Sequence, residues 1–139
     1  FTANLSVKRI AYFVLGPYRK NLSPIESERY INLVKRFISE VYAKRLLSYP
    51  HGIMNVNNSK DRGKLGIIIN SSITFADNPN PIRIDWWVIE NNRGQLKIFD
   101  IRVSGVWMAQ EQRSTFTAFL SKNNGSINKL MERMEVQLE

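Results

Sequence analysis

A chain of 139 residues, 43% of them hydrophobic and with only 7 Gly and 5 Pro, suits one folded domain with a real core. It has no cysteine, which excludes disulfides, thiolate metal sites and a catalytic thiol. The formal net charge of +8 points to an anionic partner, either nucleic acid or an anionic lipid surface, and residues 1–50 concentrate it, with nine Lys/Arg against three Glu.

No apolar run is long enough to span a bilayer. Phe1 to Ser6 has no charged region, apolar stretch or cleavage site of a signal peptide, as expected equally of a mature or trimmed product.

Ser6 is placed to cap a first helix, whose apolar stripe is Val7, Ile10, Ala11, Val14, Leu15 and Tyr18. Gly16-Pro17 should end or kink it. Ser23-Pro24-Ile25-Glu26 is a stronger start signal: an N-cap, a proline at the first helical position and a glutamate that completes a capping box. This second helix is expected to run to about Ser48, with Tyr30/Ile31, Val34, Phe37/Ile38, Val41/Tyr42 and Leu46 as its stripe, and Pro50 and Gly52 to close it.

The period then changes. Ile53–Val56 reads as a short strand and Asn57–Gly63 as a polar turn. Leu65 to Phe75 alternates as a long strand, and Ala76–Pro81 reads as a turn cluster. Ile82–Ile89 alternates again, Asn91–Gly94 is a hairpin loop, and Lys97–Ser104 is another strand. Gly105 marks the return to helix, with Met108, Gln112, Phe116, Phe119 and Leu120 on one face. Asn123-Asn124-Gly125 ends that helix, and Ser126 caps a last one carrying Ile127, Leu130, Met131, Met134 and Leu138.

Two helices, about four strands and two more helices predict a single α+β domain over 1–139. Its curled antiparallel sheet should carry helices on the concave face.

Chemistry is sparse along this chain. His51, the single histidine, sits in a turn with no second His or Cys to make a metal cluster. No phosphate-binding glycine loop or nucleophile elbow occurs. Asp85 and Asp100 fall mid-strand on neighbouring strands. They are either a general base lining a pocket, as in an isomerase, or outward residues matched to Arg83 or Arg102. Strand parity favours the second reading, and exposure of both would remove the first. The basic helical faces lack the aromatic-interleaved strand of an RNA binder. Trp86-Trp87 and Val88-Ile89 give one strand apolar character on both faces. One face could line a pocket, or the Trp87/Ile89 face could hold a protein partner.

Several motifs together resemble the MlaC, or toluene-tolerance, family. Phe99-Asp100-Ile101-Arg102-Val103-Ser104-Gly105-Val106 is similar to its strand-to-helix signature, and Gln112-Arg113-Ser114-Thr115-Phe116 to its helix motif. Gly125-Ser126-Ile127 with Leu130 is similar to its closing element. Val14-Leu15-Gly16-Pro17-Tyr18 and Leu22-Ser23-Pro24 resemble its N-terminal turn and long-helix start. The resemblance covers nearly the whole chain. It differs at Trp107, where the family has a small serine, so an indole is expected to reshape the pocket. Family members also begin with further helices before the stretch matching Phe1.

The resemblance implies a fold like nuclear transport factor 2 and a periplasmic, non-enzymatic phospholipid carrier without cofactor or metal. It implies partners in an inner-membrane ABC transporter complex and an outer-membrane lipoprotein complex, with transient membrane contact and no nucleic acid. The acyl chains are expected between sheet and helices, against Ile84, Trp86, Val88, Phe99, Ile101 and Val103 from the sheet and Leu15, Tyr18, Phe37, Val41, Met108 and Phe116 from the helices. An isomerase-type enzyme on the same fold and a protein-interaction module remain the alternatives.

Overall fold

A computed structural model describes residues 2–47 and 51–139. The expected end of the second helix at Ser48 and Pro50 lies outside them. Four α-helices and five strands follow the chain as α1 (Val7–Val14), α2 (Pro24–Leu47), β1 (Ile53–Asp61), β2 (Ile67–Phe75), β3 (Asn78–Glu90), β4 (Leu96–Val103), β5 (Val106–Trp107), α3 (Met108–Lys122) and α4 (Ile127–Gln137). The sheet is an antiparallel meander in the order β1-β2-β3-β4-β5. The α+β class thus holds, with a two-residue fifth strand added.

The helices begin where local chemistry directs. Ser23 accepts from Glu26 N at 3.2 Å, while the Glu26 carboxylate accepts from Ser23 N at 3.3 Å, closing the capping box of α2. Ser126 caps α4 by accepting from Lys129 N at 3.3 Å. Ser6 makes no side-chain cap on α1. Its backbone is tied to the sheet instead, Ser6 N donating to Ile98 O at 2.8 Å.

Gly16 ends α1 with a positive φ of 55°, and a Cβ there would lie 3.0 Å from Thr117 Cγ2 on α3. No other residue type meets both conditions without strain. The 3₁₀ turn Gly16–Asn21 then leads to α2.

The strand expected from Leu65 begins at Ile67, because Leu65 ends a 3₁₀ turn Gly63–Leu65 and Gly66 follows with a φ of 101°, and three other strand boundaries differ, each for a physical reason. The segment expected as a polar turn from Asn57 continues β1 to Asp61, because a bulge absorbs one residue between Val56 and Asn58. Asn78–Pro81, expected as a turn, is the start of β3. Its prolines precede Ile84, the first β3 residue paired with β4, so their missing N–H groups face an open edge. After β4 the chain does not pass straight into helix. Ser104 and Gly105 both take positive φ, 50° and 87°, and fold a tight hairpin that pairs β5 with β4.

The core lies between the helices and the centre of β3 and β4. Leu15, Ile84, Ile101, Leu120, Met131 and Met134 are fully enclosed. Tyr30 is buried with them and its hydroxyl donates to Ala11 O at 2.6 Å, which satisfies its one polar atom. Val41, assigned to the buried stripe, is 37% exposed on the turn of α2 between the buried Ile38 and Tyr42.

Candidate functional site

A β-bulge organises the site. Trp87 pairs with Asp100 and Val88 with Ile98, which leaves Phe99 as the extra residue on β4. The two-residue alternation is reset there. Phe99 meets Trp87 edge-on, with ring centroids 5.4 Å apart, and Phe13 of α1 at 5.1 Å. Trp107 adds a fourth ring, 5.7 Å from Trp87. Guanidinium groups close both ends of this aromatic ladder, Arg102 lying 4.7 Å from the Trp107 ring and Arg113 4.9 Å from Phe13. Trp107 therefore extends a stack, and its indole does not border the groove described next.

The ladder floors an open groove between α1 and the β3–β4 hairpin. The largest cavity there is about 650 Å³, with Phe13, Ile89 and Phe99 as its apolar lining and Lys8, Arg9 and Arg19 among its polar residues. A second, of about 410 Å³, runs along Ile67, Val88 and Ile89 to Lys64. A third, of about 150 Å³, lies over Trp87 and Phe99. Arg9 and Ile89 border all three, so these are compartments of one groove. The two larger volumes are in the range of small-molecule pockets. The larger compartment sets Lys8, Arg9 and Arg19 against Glu90, an excess of cations over an apolar floor that suits an amphiphile carrying an anionic group, whereas the second has Arg9 and Lys64 balanced by Asp61 and Glu90.

The twelve residues assigned to the lipid from sequence separate into distinct environments. Val88 and Phe99 border the groove. Leu15, Ile84, Ile101, Val103 and Met108 are buried core. Phe37 and Phe116 pack together at 5.7 Å beside a smaller cavity of about 190 Å³ formed with α4. Trp86 is half-buried and donates Nε1–H to Ser71 Oγ at 3.0 Å, while Tyr18 packs beside Gly125. Val41 is at the surface.

Phe13, Trp87, Ile89 and Arg9 were not among the twelve. Unbroken strand alternation places Trp87 and Ile89 on the face opposite Trp86 and Phe99, whereas the bulge brings Phe99 against Trp87. Unbroken parity cannot register a bulge.

The two carboxylates are also placed differently from expectation, since both are buried. Asp85 does meet its anticipated partners, with Arg83 Nε at 3.2 Å and Arg102 Nη2 at 2.6 Å. Asn70 Nδ2 donates to it at 2.8 Å. Burial would raise its pKa, but the hydrogen bonds from Asn70, Arg102 and Arg83 outweigh that and hold it below the usual range. These three side chains enclose the carboxylate, which is why it is not solvated.

Asp100 Oδ1 accepts from Ile101 N at 2.8 Å and from Ala109 N at 2.7 Å. It caps α3 from a distance, since Trp107 at the N-cap has no side-chain acceptor. Asp100 Oδ2 is buried without a partner. Burial pushes this carboxyl up to about 6, against the lowering effect of hydrogen bonds from Ala109, Ile101 and Gln110. Neither aspartate borders the groove. Among the described residues no group of three or more His, Asp or Glu is placed to hold a metal, and no helix is long and apolar enough to cross a membrane.

Comparison with known proteins bears on the family and the fold. The family model described as MlaC protein matches residues 1–136. The chain belongs to the MlaC family. A member from Haemophilus influenzae, named intermembrane phospholipid transport system binding protein MlaC, is 27% identical over 124 residues. The match takes in 88% of this chain and 57% of that protein's length. A phospholipid-binding protein from Ralstonia solanacearum, solved in complex with a phospholipid, superposes with a TM-score of 0.79 at 19% identity, over 99% of this chain and 77% of that one. This likeness shows that the meander and its helices are a shared MlaC-type fold.

Proposed function

We propose that this MlaC-family chain is a periplasmic phospholipid carrier. It shuttles lipids between the outer and inner membranes for an ABC transporter and so maintains outer-membrane lipid asymmetry. The observation that carries the reading is the groove itself, an aromatic floor under a cationic rim, in a chain whose relatives are named for phospholipid transport and binding.

The physical demand on such a carrier is large. A diacyl lipid has on the order of 30 methylenes, and leaving them in water costs roughly 25 kcal/mol. The tails must be buried, whereas the phosphate is already at home at a wet cationic rim. The chains enter over Phe13, Ile89 and Phe99 and pass toward Ile84, Ile101, Val103, Met108, Phe116 and Leu15 as the helices part from the sheet. Tyr18, Phe37, Val41, Trp86 and Val88 complete the proposed contact set. No reactive group is required, and the carrier is non-enzymatic. Asp85 is neutralised by its arginines and Asp100 is committed to capping α3, which disfavours the isomerase alternative.

Its partners are an inner-membrane ABC transporter complex and an outer-membrane lipoprotein complex, with transient contact to the membrane surface. Native mass spectrometry of the protein purified from bacterial cells, followed by organic extraction, tests the central claim. A near-stoichiometric phospholipid is expected, and a folded protein that never carries or accepts lipid would sink it. Val88→Trp should plug the groove and lower loading. Val88 is the position to choose because Ile101 is fully enclosed, and a larger side chain there would overpack the core.

A further inference from the structure

The chain before α1 crosses between the two layers of the fold. Its 3₁₀ turn Thr2–Asn4 packs on both α2 and β4. Leu5 then forms an isolated parallel bridge with Ile98 of β4, and Ser6 N donates to Ile98 O at 2.8 Å. Lys97 Nζ donates to Ala3 O at 2.6 Å. Leu5 is buried, and Ile98 packs against the same core. This strap stands at the groove. Ser6 borders the larger compartment, and Ile98 pairs on its other side with Val88, which borders the second.

α1 itself belongs to the helices. Tyr30 Oη of α2 donates to Ala11 O at 2.6 Å, and the Tyr12 and Ser27 hydroxyls share a hydrogen bond of 2.8 Å. At the end of α1, Gly16 is seated closely against Thr117 of α3. Where α1 meets β4 the contact is of another kind, Phe13 edge-on to Phe99. An acyl chain that slides between those rings replaces one apolar contact by another, at little net cost. A hydrocarbon tail offers no such substitute for the hydrogen bonds of the strap. Parting the layers along this groove therefore depends on the strap letting go of Ile98.

Resting on the lipid-carrier reading above, we propose that residues 2–6 are a latch: the groove admits or releases an acyl chain only when this strap unpairs from Ile98, and its re-pairing closes the groove over the bound lipid.

The chain contains no cysteine, so a pair introduced at Leu5 and Ile98 can make one intramolecular disulfide only. Neighbouring strands lie about 4.8 Å apart, within the Cα separation that a disulfide spans. The Leu5→Cys/Ile98→Cys protein is mixed with vesicles of phosphatidylglycerol bearing deuterated acyl chains, and uptake of the heavy lipid is followed by native mass spectrometry. The oxidised form should take it up at least about tenfold more slowly than the same protein reduced by dithiothreitol. Equal rates overturn the proposal.

Loosening the latch gives the converse, and decides the matter if the measured mass shows that the disulfide does not form. Leu5→Ala should raise the uptake rate about tenfold, because the buried leucine holds the closed state. Met131→Ala removes an enclosed side chain of α4, which packs on α2 and α3, and should leave the rate unchanged. No acceleration in Leu5→Ala sinks the latch, and so does equal acceleration in both variants, which would reflect a generally looser core. A wild type that takes up no lipid refutes the carrier reading and the latch with it. A wild type that takes up lipid, with matching oxidised and reduced rates in the cysteine pair, refutes the latch alone.

Discussion

The centre of the sheet and the start of its β1 edge both carry large aliphatic residues, yet these end in opposite environments. Ile84 and Ile101 on β3 and β4 are fully enclosed, whereas Ile53 and Val56 on β1 are each 68% exposed. Every residue of β1 is exposed. Both regions are extended and hydrogen-bonded to a neighbouring strand. Part of the difference is composition, since β1 turns polar after Val56, and part is the second layer: α1 and α3 pack on β4, while among the described residues no helix makes a substantial contact with β1. Alternation makes a strand, but stabilisation by burial needs something to cover it.

The largest expected effect sharpens this contrast. Ile101→Ala should cost about 2–5 kcal/mol in urea unfolding, through lost burial and the cavity left behind. A loss well under that range would mean that the centre of the sheet can relax as its edge does.

The covered centre also holds a charge, and this should show in pH dependence. The Asp100 carboxyl is raised in the folded protein to about 6 from the ordinary aspartate value of 3.8. Between those values the folded state binds more protons than the unfolded one. Stability from this group therefore falls as pH rises through the window and is level above it, by about 3 kcal/mol in total. Asp85 has the opposite sign: its lowered pKa contributes stability that is lost as pH falls through the folded value. Asp100→Asn should abolish the Asp100 contribution and leave that of Asp85. An identical pH–stability slope in the variant between pH 4 and 6 would show that Asp100 is solvated like the residues of β1.

A smaller effect comes from a helix end, where the contribution is local. Ser23→Ala removes the two bonds of the Ser23 hydroxyl, accepted from Glu26 N and donated to the Glu26 carboxylate, and should cost about 1 kcal/mol, read as a lower midpoint at unchanged urea slope. The smallest belongs to the uncovered edge. Val56→Ala should change stability by less than about 0.5 kcal/mol. A cost comparable to that of Ile101→Ala would break the comparison, because it would require a cover over β1.

The parts of the fold legible in the sequence are those where a few neighbouring residues settle the matter. Ser23-Pro24-Ile25-Glu26 and Ser126 begin α2 and α4 because a cap satisfies orphan N–H groups within one turn. The Asn91–Gly94 loop closes the β3–β4 hairpin through Asn91, whose side-chain oxygen accepts from Arg93 N and Gln95 N, each at 2.9 Å. The family motifs were likewise readable, since they are strings of side chains in order. The candidate site was much less so. Val88 and Phe99, expected at the site from strand pattern, do border the groove, but Arg9 is remote from both in sequence, and nothing near it marks it as bordering the same groove.

Residue order alone thus settles the starts of α2 and α4, the antiparallel meander, the α+β class and the family, since these depend on short-range backbone chemistry or on motif spacing, whereas α3 begins where the distant Asp100 caps it. Tertiary structure alone decides which apolar residues are core and which are floor, because one bulge at Phe99 resets the pleat and the position of α1 determines what lies above it. It also decides the charge states of Asp85 and Asp100. The same carboxyl group is held ionised by two guanidiniums in one place and driven toward protonation by burial in the other, and neither environment is a property of the residues beside it in the chain.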